Sequence, residues 1–211
     1  MTTPINRRRF MLGLIGFAAS PGVFAVAAPH ATPSQSRGPF YPVTFPLDDD
    51  NDLTRVEGQG GNAEGEVTDL DGRVLDLDGR PIRAARIEIW QCDARGFYHH
   101  PQDRGGQADP RFQGFGHTVT DDAGRYRFRT IRPVQYPGRT PHIHFAVYPS
   151  GEQPFVTQMY VQGESANAGD FLFRRIPSER RTLVEARFEP AGEGGGSSWR
   201  AAFDIVLGAV T

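Results

Sequence analysis

The sequence lacks the features that identify several common protein classes. Its 211 residues include a single cysteine, Cys92, so no disulfide can form within the chain, and we expect a buried structural thiol. No basic patch or aromatic-rich RNA-binding motif is present and the formal net charge is −2, so we expect no nucleic-acid partner. Long helix-forming runs and internal repeats are also missing. The 25 glycines and 17 prolines instead indicate short strands joined by many turns.

The first 27 residues differ in composition from the rest of the chain. The run Arg7-Arg8-Arg9-Phe10 precedes an apolar stretch, and Ala25-Val26-Ala27 fits a small-x-small cleavage site. The arginine pair Arg7-Arg8, with Phe10 one residue further on, resembles a twin-arginine export signal, so we predict such a signal over residues 1–27 and a periplasmic location. An ordinary secretory signal and a retained membrane anchor are the alternatives. Glycines and Pro21 interrupt the apolar stretch, so we expect no stable membrane span in the mature chain.

The remaining chain is predicted to form an extended arm and loop over residues 28–64 and a β-sandwich domain over residues 65–211. Apolar and polar residues alternate with period two, and two Asp-Gly pairs, at Asp71 and Asp78, predict hairpin turns. This pattern is typical of an all-β, antiparallel β-sandwich with long loops and little helix. The predicted strands cover residues 65–70, 73–77, 82–90, 118–120, 126–131, 142–148 and 155–161, followed by a short helix at 167–175 and a closing hairpin of 183–188 with 199–207.

The most informative stretch is Tyr136-Pro-Gly-Arg-Thr-Pro-His142-Ile-His144-Phe145. On an extended strand His142 and His144 point to the same face, while Ile143 and Phe145 point to the other. Imidazole is the commonest metal ligand in proteins. A nearby tyrosine indicates a hard, highly charged metal, because a phenol binds metal well only after losing its proton. The alternative is that both histidines merely lie on a half-buried strand.

A second tyrosine, Tyr98, follows the strand-like run that ends at Trp90. Two tyrosines and two histidines without a nearby carboxylate or thiolate do not fit the Cys/His sites of structural zinc. Nor do they fit the two-histidine, one-carboxylate sites of ferrous oxygenases. Two phenolates and a hydroxide would neutralise a 3+ charge, so the set favours Fe(III). A zinc or copper hydrolase would need a carboxylate or nucleophile beside the histidines, and the sequence places none there.

Several stretches together resemble a known family. They are Thr32-Pro-Ser-Gln-Ser-Arg-Gly-Pro-Phe-Tyr-Pro, Gly79-Arg-Pro-Ile, Ile87-Glu-Ile-Trp-Gln, Gly96-Phe-Tyr98, Thr120-Asp-x-x-Gly-Arg-Tyr, Tyr136-Pro-x-Arg-x-Pro-His-Ile-His-Phe and Thr157-Gln-Met-Tyr. The chain thus resembles the intradiol ring-cleaving dioxygenases, in the protocatechuate 3,4-dioxygenase-like branch, over about residues 32–175. The second and fifth stretches also resemble transthyretin-like modules that do no chemistry. A non-catalytic binding module of the periplasm is therefore the alternative function, and only Tyr98, Tyr136, Arg139, His142 and His144 in combination are specific.

The resemblance implies a transthyretin-like sandwich that holds non-haem Fe(III), with Tyr98 and His142 as equatorial ligands and Tyr136 and His144 as axial ligands. It implies a catechol-type substrate that O2 cleaves between the two hydroxyl-bearing carbons, giving a cis,cis-muconate-type dicarboxylate. Tyr136 would leave the metal when substrate binds and take up a proton. Arg139 would stabilise negative charge on the substrate.

The remaining candidates have less specific roles. Gln158 and Trp90 would lie beside the site, and the segment Gly38 to Tyr41 would help to form the substrate pocket. His99 and His100 could line the pocket mouth, but solvated loop histidines are expected. The sequence leaves open the ring substituents of the substrate and whether the chain forms a homo-oligomer.

Overall fold

The computed structural model describes residues 30–104, 107–149, 153–192, 194 and 196–208. The predicted export signal lies outside the described residues. Within them, ten strands form two five-stranded sheets that pack face to face. The strands are β1 (Val67–Leu75), β2 (Arg86–Trp90), β3 (Phe115–Val119), β4 (Arg125–Ile131), β5 (His142–Tyr148), β6 (Phe155–Val161), β7 (Glu185–Ala186), β8 (Phe188–Pro190), β9 (Trp199–Ala202) and β10 (Ile205–Val206).

The predicted sandwich with little helix is confirmed, but its sheets are mixed rather than antiparallel. In the first sheet β4 pairs antiparallel with one edge of β1, whereas β9 and β10 pair parallel with its other edge. In the second sheet, ordered β3-β2-β5-β6-β7, the β6–β7 pair is parallel. The antiparallel expectation was wrong at these edges because strand spacing along one chain does not determine which edge a distant segment occupies.

One of the two Asp-Gly turn predictions was wrong. Gly72 lies inside the continuous strand β1, where it pairs with Tyr126 of β4. A Cβ atom at this position would lie 2.1 Å from the carbonyl oxygen of Phe203 and 2.6 Å from the Tyr126 ring, so the glycine permits close packing rather than a turn. The other pair does form a turn: Gly79 has φ 76° and donates its N–H to the Asp76 carbonyl.

The main core fills the space between the two sheets. Ile87, Ile89, Ile143, Phe145 and Val147 from the second sheet pack there against first-sheet residues that include Leu70, Val74 and Phe128. Because side chains alternate along a strand, the same alternation turns His142 and His144 to the other face of the second sheet. Residues 36–41 and the loop between β2 and β3 lie against that outer face, so both histidines are buried.

In the part of the chain that the structure describes, helix occurs only in short segments after β6. A 3-10 helix, Ser165–Gly169, leads into α1 (Phe171–Arg174), and a second 3-10 helix covers Ser178–Val184. The predicted helix at 167–175 is therefore confirmed in place, as a 3-10 helix and one α-helical turn. None of the helices described is long and apolar enough to cross a membrane.

Candidate metal centre

Strand β5 carries two imidazoles side by side on its buried outer face. His142 and His144 are 1% and 2% exposed, and their Nε2 atoms are 3.2 Å apart. In the ladder, Trp90 of β2 and Gln158 of β6 lie opposite His144, and Tyr160 lies opposite His142. The Trp90 indole stacks on the His144 ring at 4.8 Å and 8°. Strand pairing therefore determines what surrounds both histidines.

The turn before β5 brings Tyr136 over His142. The N–H of Arg139 donates to the Tyr136 carbonyl at 2.9 Å, and Gly138 within this turn has φ 83°. The Tyr136 and His142 ring centroids are 5.6 Å apart. Tyr136 is only half-buried, so its phenol has more freedom to move than the groups beneath it.

Tyr98 reaches the same place from the loop after β2. Its N–H donates to Asp103 Oδ2 at 2.6 Å, and Asp93 Oδ1 accepts from the N–H groups of Arg95 and Phe97 at 2.9 Å each. A Cβ atom at Gly96 would lie 3.2 Å from Tyr136 Cβ, so a glycine there lets the loop approach the turn. The loop is thus fixed by buried carboxylates that accept backbone hydrogen bonds.

The four predicted ligands form a closed circuit of rings. The successive centroid distances are 5.5 Å from Tyr98 to Tyr136, 5.6 Å to His142, 4.8 Å to His144 and 6.4 Å back to Tyr98. We call this set the four-ring circuit. Three separate segments of chain contribute to it, and the structure brings all four side chains together.

Burial determines the charge of each ring in the circuit. It raises the pKa of Tyr98 well above 10, and it raises the pKa of Tyr136 even though the Arg139 guanidinium opposes that shift. Burial lowers the pKa of His142 to about 3 and that of His144 well below 6.5, with nearby positive charge adding to both shifts. At neutral pH the histidines are therefore neutral, and a phenolate needs a nearby cation to form.

The donor set fits a highly charged cation. The Tyr98 hydroxyl is buried with no hydrogen-bond partner among the described residues, which is unusual for a buried polar group. His142 Nδ1–H donates to the Thr140 carbonyl at 2.6 Å, so its Nε2 lone pair faces His144. No group of three or more His, Cys, Asp or Glu side chains suited to a metal occurs in the described part of the chain. Two imidazole nitrogens and two phenol oxygens are the donors available here.

Arg139 lies beside the circuit in a fixed orientation. Its Nε donates to Asp170 Oδ2 at 2.8 Å, and its Nη2 donates to Gln158 Oε1 at 2.5 Å. Gln158 in turn donates from Nε2 to the Ser36 carbonyl at 3.2 Å. The predicted residues Arg139 and Gln158 are therefore in direct contact. Asp170 was missed, and the one sequence signal for it is an aspartate placed as the N-cap of a short helix.

The arm covers the circuit from outside. A Cβ atom at Gly38, which has φ 74°, would lie 3.2 Å from His144 Cε1. Phe40 stacks on Tyr98 at 4.8 Å and 26°. Cavities flank the circuit: one of about 780 Å³ is bordered by Phe40 and Tyr98, and one of about 530 Å³ by Tyr136 and Arg139. The arm thus shields the donors while room for a ligand remains beside them.

Three other candidate residues, His99, His100 and Cys92, do not belong to the four-ring circuit. His99 is exposed, as expected, and its Nε2 lies 3.0 Å from the Asp109 carbonyl. The expectation that His100 is solvated was wrong: it is 5% exposed and packs edge-on against Phe40 at 5.7 Å. Cys92 is buried, and burial raises the pKa of its thiol to about 12, which makes it unreactive.

Comparisons with known proteins point to one kind of enzyme. A family model described as Dioxygenase matches residues 37–209. The protocatechuate 3,4-dioxygenase beta chain of Burkholderia cepacia is 39% identical over 168 residues, which cover 75% of this chain and 71% of that protein. The hydroxyquinol 1,2-dioxygenase of Rhodococcus opacus is 32% identical over 232 residues, covering 97% and 74%.

Solved structures agree with the sequence comparisons. The dioxygenase domain of a dioxygenase carbohydrate-binding protein fusion from Streptomyces sp. SirexAA-E has a TM-score of 0.63 and 29% identity, covering 85% of this chain and 99% of that one. The catechol 1,2-dioxygenase of Acinetobacter sp. ADP1 has a TM-score of 0.66 and 25% identity, covering 86% of this chain and 64% of that one.

Proposed function

The chain belongs to the intradiol ring-cleaving dioxygenase family, and on this premise we propose that it is a non-haem Fe(III) enzyme acting on a catechol-type aromatic. It uses O2 to cleave the ring between the two hydroxyl-bearing carbons and yields a cis,cis-muconate-type dicarboxylate. The relatives carry the names of catechol, hydroxyquinol and protocatechuate dioxygenases. A catechol nucleus is common to those names. The similarity to enzymes disfavours the non-catalytic binding module.

The four-ring circuit is the observation that supports this proposal. Tyr98, Tyr136, His142 and His144 would hold the iron, and the buried Tyr98 hydroxyl without a partner is the feature that a metal explains. Fe(III) bound there would act as a Lewis acid for both catechol oxygens. Two phenolates are stable in so buried a place only beside such a cation, because burial opposes their ionisation.

Tyr136 is the ring best suited to act as a base. It lies in a turn and is half-buried, whereas Tyr98 is 2% exposed and stacked under Phe40. A phenolate at position 136 can therefore swing away and accept a proton from an incoming catechol at its Oη atom. Tyr98 stays in place and continues to balance positive charge.

Arg139 supplies the positive charge beside the substrate. The Arg139 side chain is 8% exposed, so water screens its charge poorly. Arg139 and Tyr136 line the same cavity of about 530 Å³. A fixed guanidinium at this point stabilises negative charge that develops on the ring during O2 attack. By analogy with a single oxyanion donor, this contributes about 3 kcal/mol to lowering the barrier.

We further propose that the protein works in the periplasm after export through the twin-arginine route. The support is the Arg7-Arg8-Arg9-Phe10 run and the small residues at 25–27. That route transports folded proteins, so iron can be inserted before export. Fusing residues 1–30 to a reporter and measuring periplasmic activity, with Arg7 and Arg8 changed to lysine as the control, tests this directly; export that survives the lysine changes contradicts the route.

The colour of the purified protein tests the enzyme proposal. Phenolate-to-Fe(III) charge transfer should give a reddish protein whose absorption bleaches on reduction and shifts when catechol is added. O2 uptake with catechol should accompany the shift. Tyr136→Phe should change the colour and slow turnover, whereas Tyr148→Phe, at the end of β5 and outside the circuit, should do neither. A protein that remains colourless after iron loading would overturn the proposal.

A further inference from the structure

Asp170 is a buried carboxylate with no assigned role in the reaction. Its side chain is fully buried, and it lies between the 3-10 helix Ser165–Gly169 and α1. It accepts four hydrogen bonds, two at each oxygen. A buried carboxylate whose two oxygens each accept two hydrogen bonds is costly to replace, because any substitution leaves buried donors unpaired.

The two oxygens of Asp170 serve different parts of the chain. Oδ1 accepts from the N–H groups of Leu172 and Phe173, both at 2.9 Å, and so caps α1. Oδ2 accepts from Arg139 Nε at 2.8 Å and from the Thr140 N–H at 3.1 Å. One oxygen therefore holds its own helix, and the other holds the segment that leads into β5.

The contact with Oδ2 fixes the plane of the Arg139 guanidinium. Asp170 holds Nε, and Gln158 holds Nη2. Because a guanidinium is planar and rigid, two fixed nitrogens determine where the third, Nη1, points. Neither Asp170 nor Gln158 engages Nη1, and the guanidinium borders the same cavity as Tyr136.

Asp170 Oδ2 also binds the backbone of Thr140, two residues before the predicted ligand His142. The Thr140 N–H donates to Asp170, and the Thr140 hydroxyl donates from Oγ1 to Asn167 Oδ1 at 2.7 Å. Its carbonyl accepts from His142 Nδ1 at 2.6 Å, which selects the tautomer with a free Nε2. Because Asn167 also holds Thr140, the orientation of the His142 imidazole does not depend on Asp170 alone, whereas no other carboxylate in the described residues pairs with Arg139.

We propose that Asp170 is a positioning residue for ring cleavage, which aims the guanidinium of Arg139 at the substrate through its Oδ2 atom. The proposal rests on the proposed function. Asp170 does not touch the four-ring circuit, and it acts on the reaction through Arg139.

Asp170→Asn is the sharpest test, because asparagine keeps the size of the side chain and caps helices well. Its one carbonyl oxygen can continue to accept from Leu172 and Phe173, while the amide N–H2 cannot accept from Arg139 Nε or Thr140. We expect kcat to fall by about 10- to 100-fold, the effect typical of losing a residue that orients a site group. The iron–phenolate band of the resting protein should be unchanged.

A double-mutant cycle tests whether the effect passes through Arg139. The Asp170→Asn change should lower kcat no further in an Arg139→Gln background than Arg139→Gln does alone. Independent, multiplying effects would overturn the proposal. In metal-free protein, the Arg139 Nε–H should exchange faster with solvent in Asp170→Asn, as measured by NMR, and unchanged exchange would also overturn it.

Glu164→Ala is the matched control, because Glu164 caps the preceding 3-10 helix at the Ala166 N–H, 3.2 Å away, and does not contact Arg139. It should leave kcat and KM unchanged. If Asp170→Asn proves unstable, Asp170→Ser, which retains a capping oxygen, should show the same loss of kcat. A folded Asp170→Asn protein with full turnover contradicts this proposal alone, whereas wild-type protein that opens no catechol contradicts the proposed function.

Discussion

The histidine half and the tyrosine half of the four-ring circuit are held in different ways. His142 and His144 belong to the central strand β5, which is hydrogen-bonded on both edges by β2 and β6. Tyr98 and Tyr136 lie in a loop and a turn, where buried carboxylates and glycines hold the backbone. The sheet therefore holds His142 and His144 rigidly. Of the two tyrosines, the half-buried Tyr136 is the one with room to move. The proposed role of Tyr136, which would leave the metal when substrate binds, needs such a division.

Removing a sheet-borne imidazole should have the largest effect. His144→Ala takes away one of the proposed ligands, and we expect iron affinity to fall by about 100-fold with turnover lost. Strand β5 should persist, since its inner face keeps Ile143, Phe145 and Val147 in the core. Iron content after dialysis and circular dichroism measure the two expectations. Retained iron with a normal visible band would mean that the sheet half does not bind the metal.

Weakening the loop half at its backbone should have an intermediate effect. Asp103→Ala removes the acceptor for the Tyr98 N–H and leaves that donor buried and unpaired, at a cost of about 1–3 kcal/mol. We expect a lower unfolding midpoint in urea and a weaker visible band. Asp121→Ala is the comparison, because Asp121 accepts from the N–H groups of Ala123 and Arg125 in an exposed turn far from the circuit. Equal effects of both changes on the visible band would contradict the special role of the Tyr98 loop.

Removing a single hydroxyl should change the stability of the protein at Tyr98 but not at Tyr136. In metal-free protein, Tyr98→Phe eliminates a buried hydroxyl that has no described partner, and we expect a gain of about 1 kcal/mol in the free energy of unfolding. Tyr136→Phe, which changes a half-buried ring, should alter that free energy little. Denaturant unfolding of the two variants gives the difference directly. A destabilised Tyr98→Phe protein would show that its hydroxyl is satisfied in solution.

The smallest expected effect is loosening of the loop half in acid. Burial acts to raise the pKa of Asp109, but the Glu64 N–H and the Arg111 side chain and N–H hold it below its usual value of 3.8. Since its folded pKa lies below the unfolded value, Asp109 stabilises the fold above about pH 4 and loses that contribution as pH falls through the folded pKa. Hydrogen-exchange protection of residues 93–104, corrected for the intrinsic exchange rate at each pH, should fall from pH 5 to pH 3 more than that of β5. In Asp109→Asn, the protection of residues 93–104 relative to β5 should no longer depend on pH.

Much of the fold and of the site was predictable from local patterns. The predicted bounds of β5 and β6 match the structure, and the spacing of His142 and His144 predicted a shared face because side chains alternate on any strand. The resemblance supplied Tyr98, Arg139 and Gln158, which the structure brings to the same place. Asp170 and His100 were missed or misjudged because their burial depends on contacts with Arg139 and Phe40, distant in sequence.

The sequence by itself determined the donor types, their order along the chain and the face on which each strand residue lies. Those properties depend on covalent spacing and on backbone geometry, which are local. Only the tertiary structure decided that β9 and β10 run parallel to β1, that Gly72 makes close packing rather than a turn, and that one aspartate joins a short helix to the site arginine. Each of these depends on which distant segments share an edge or a cavity, and packing of the whole chain sets that choice.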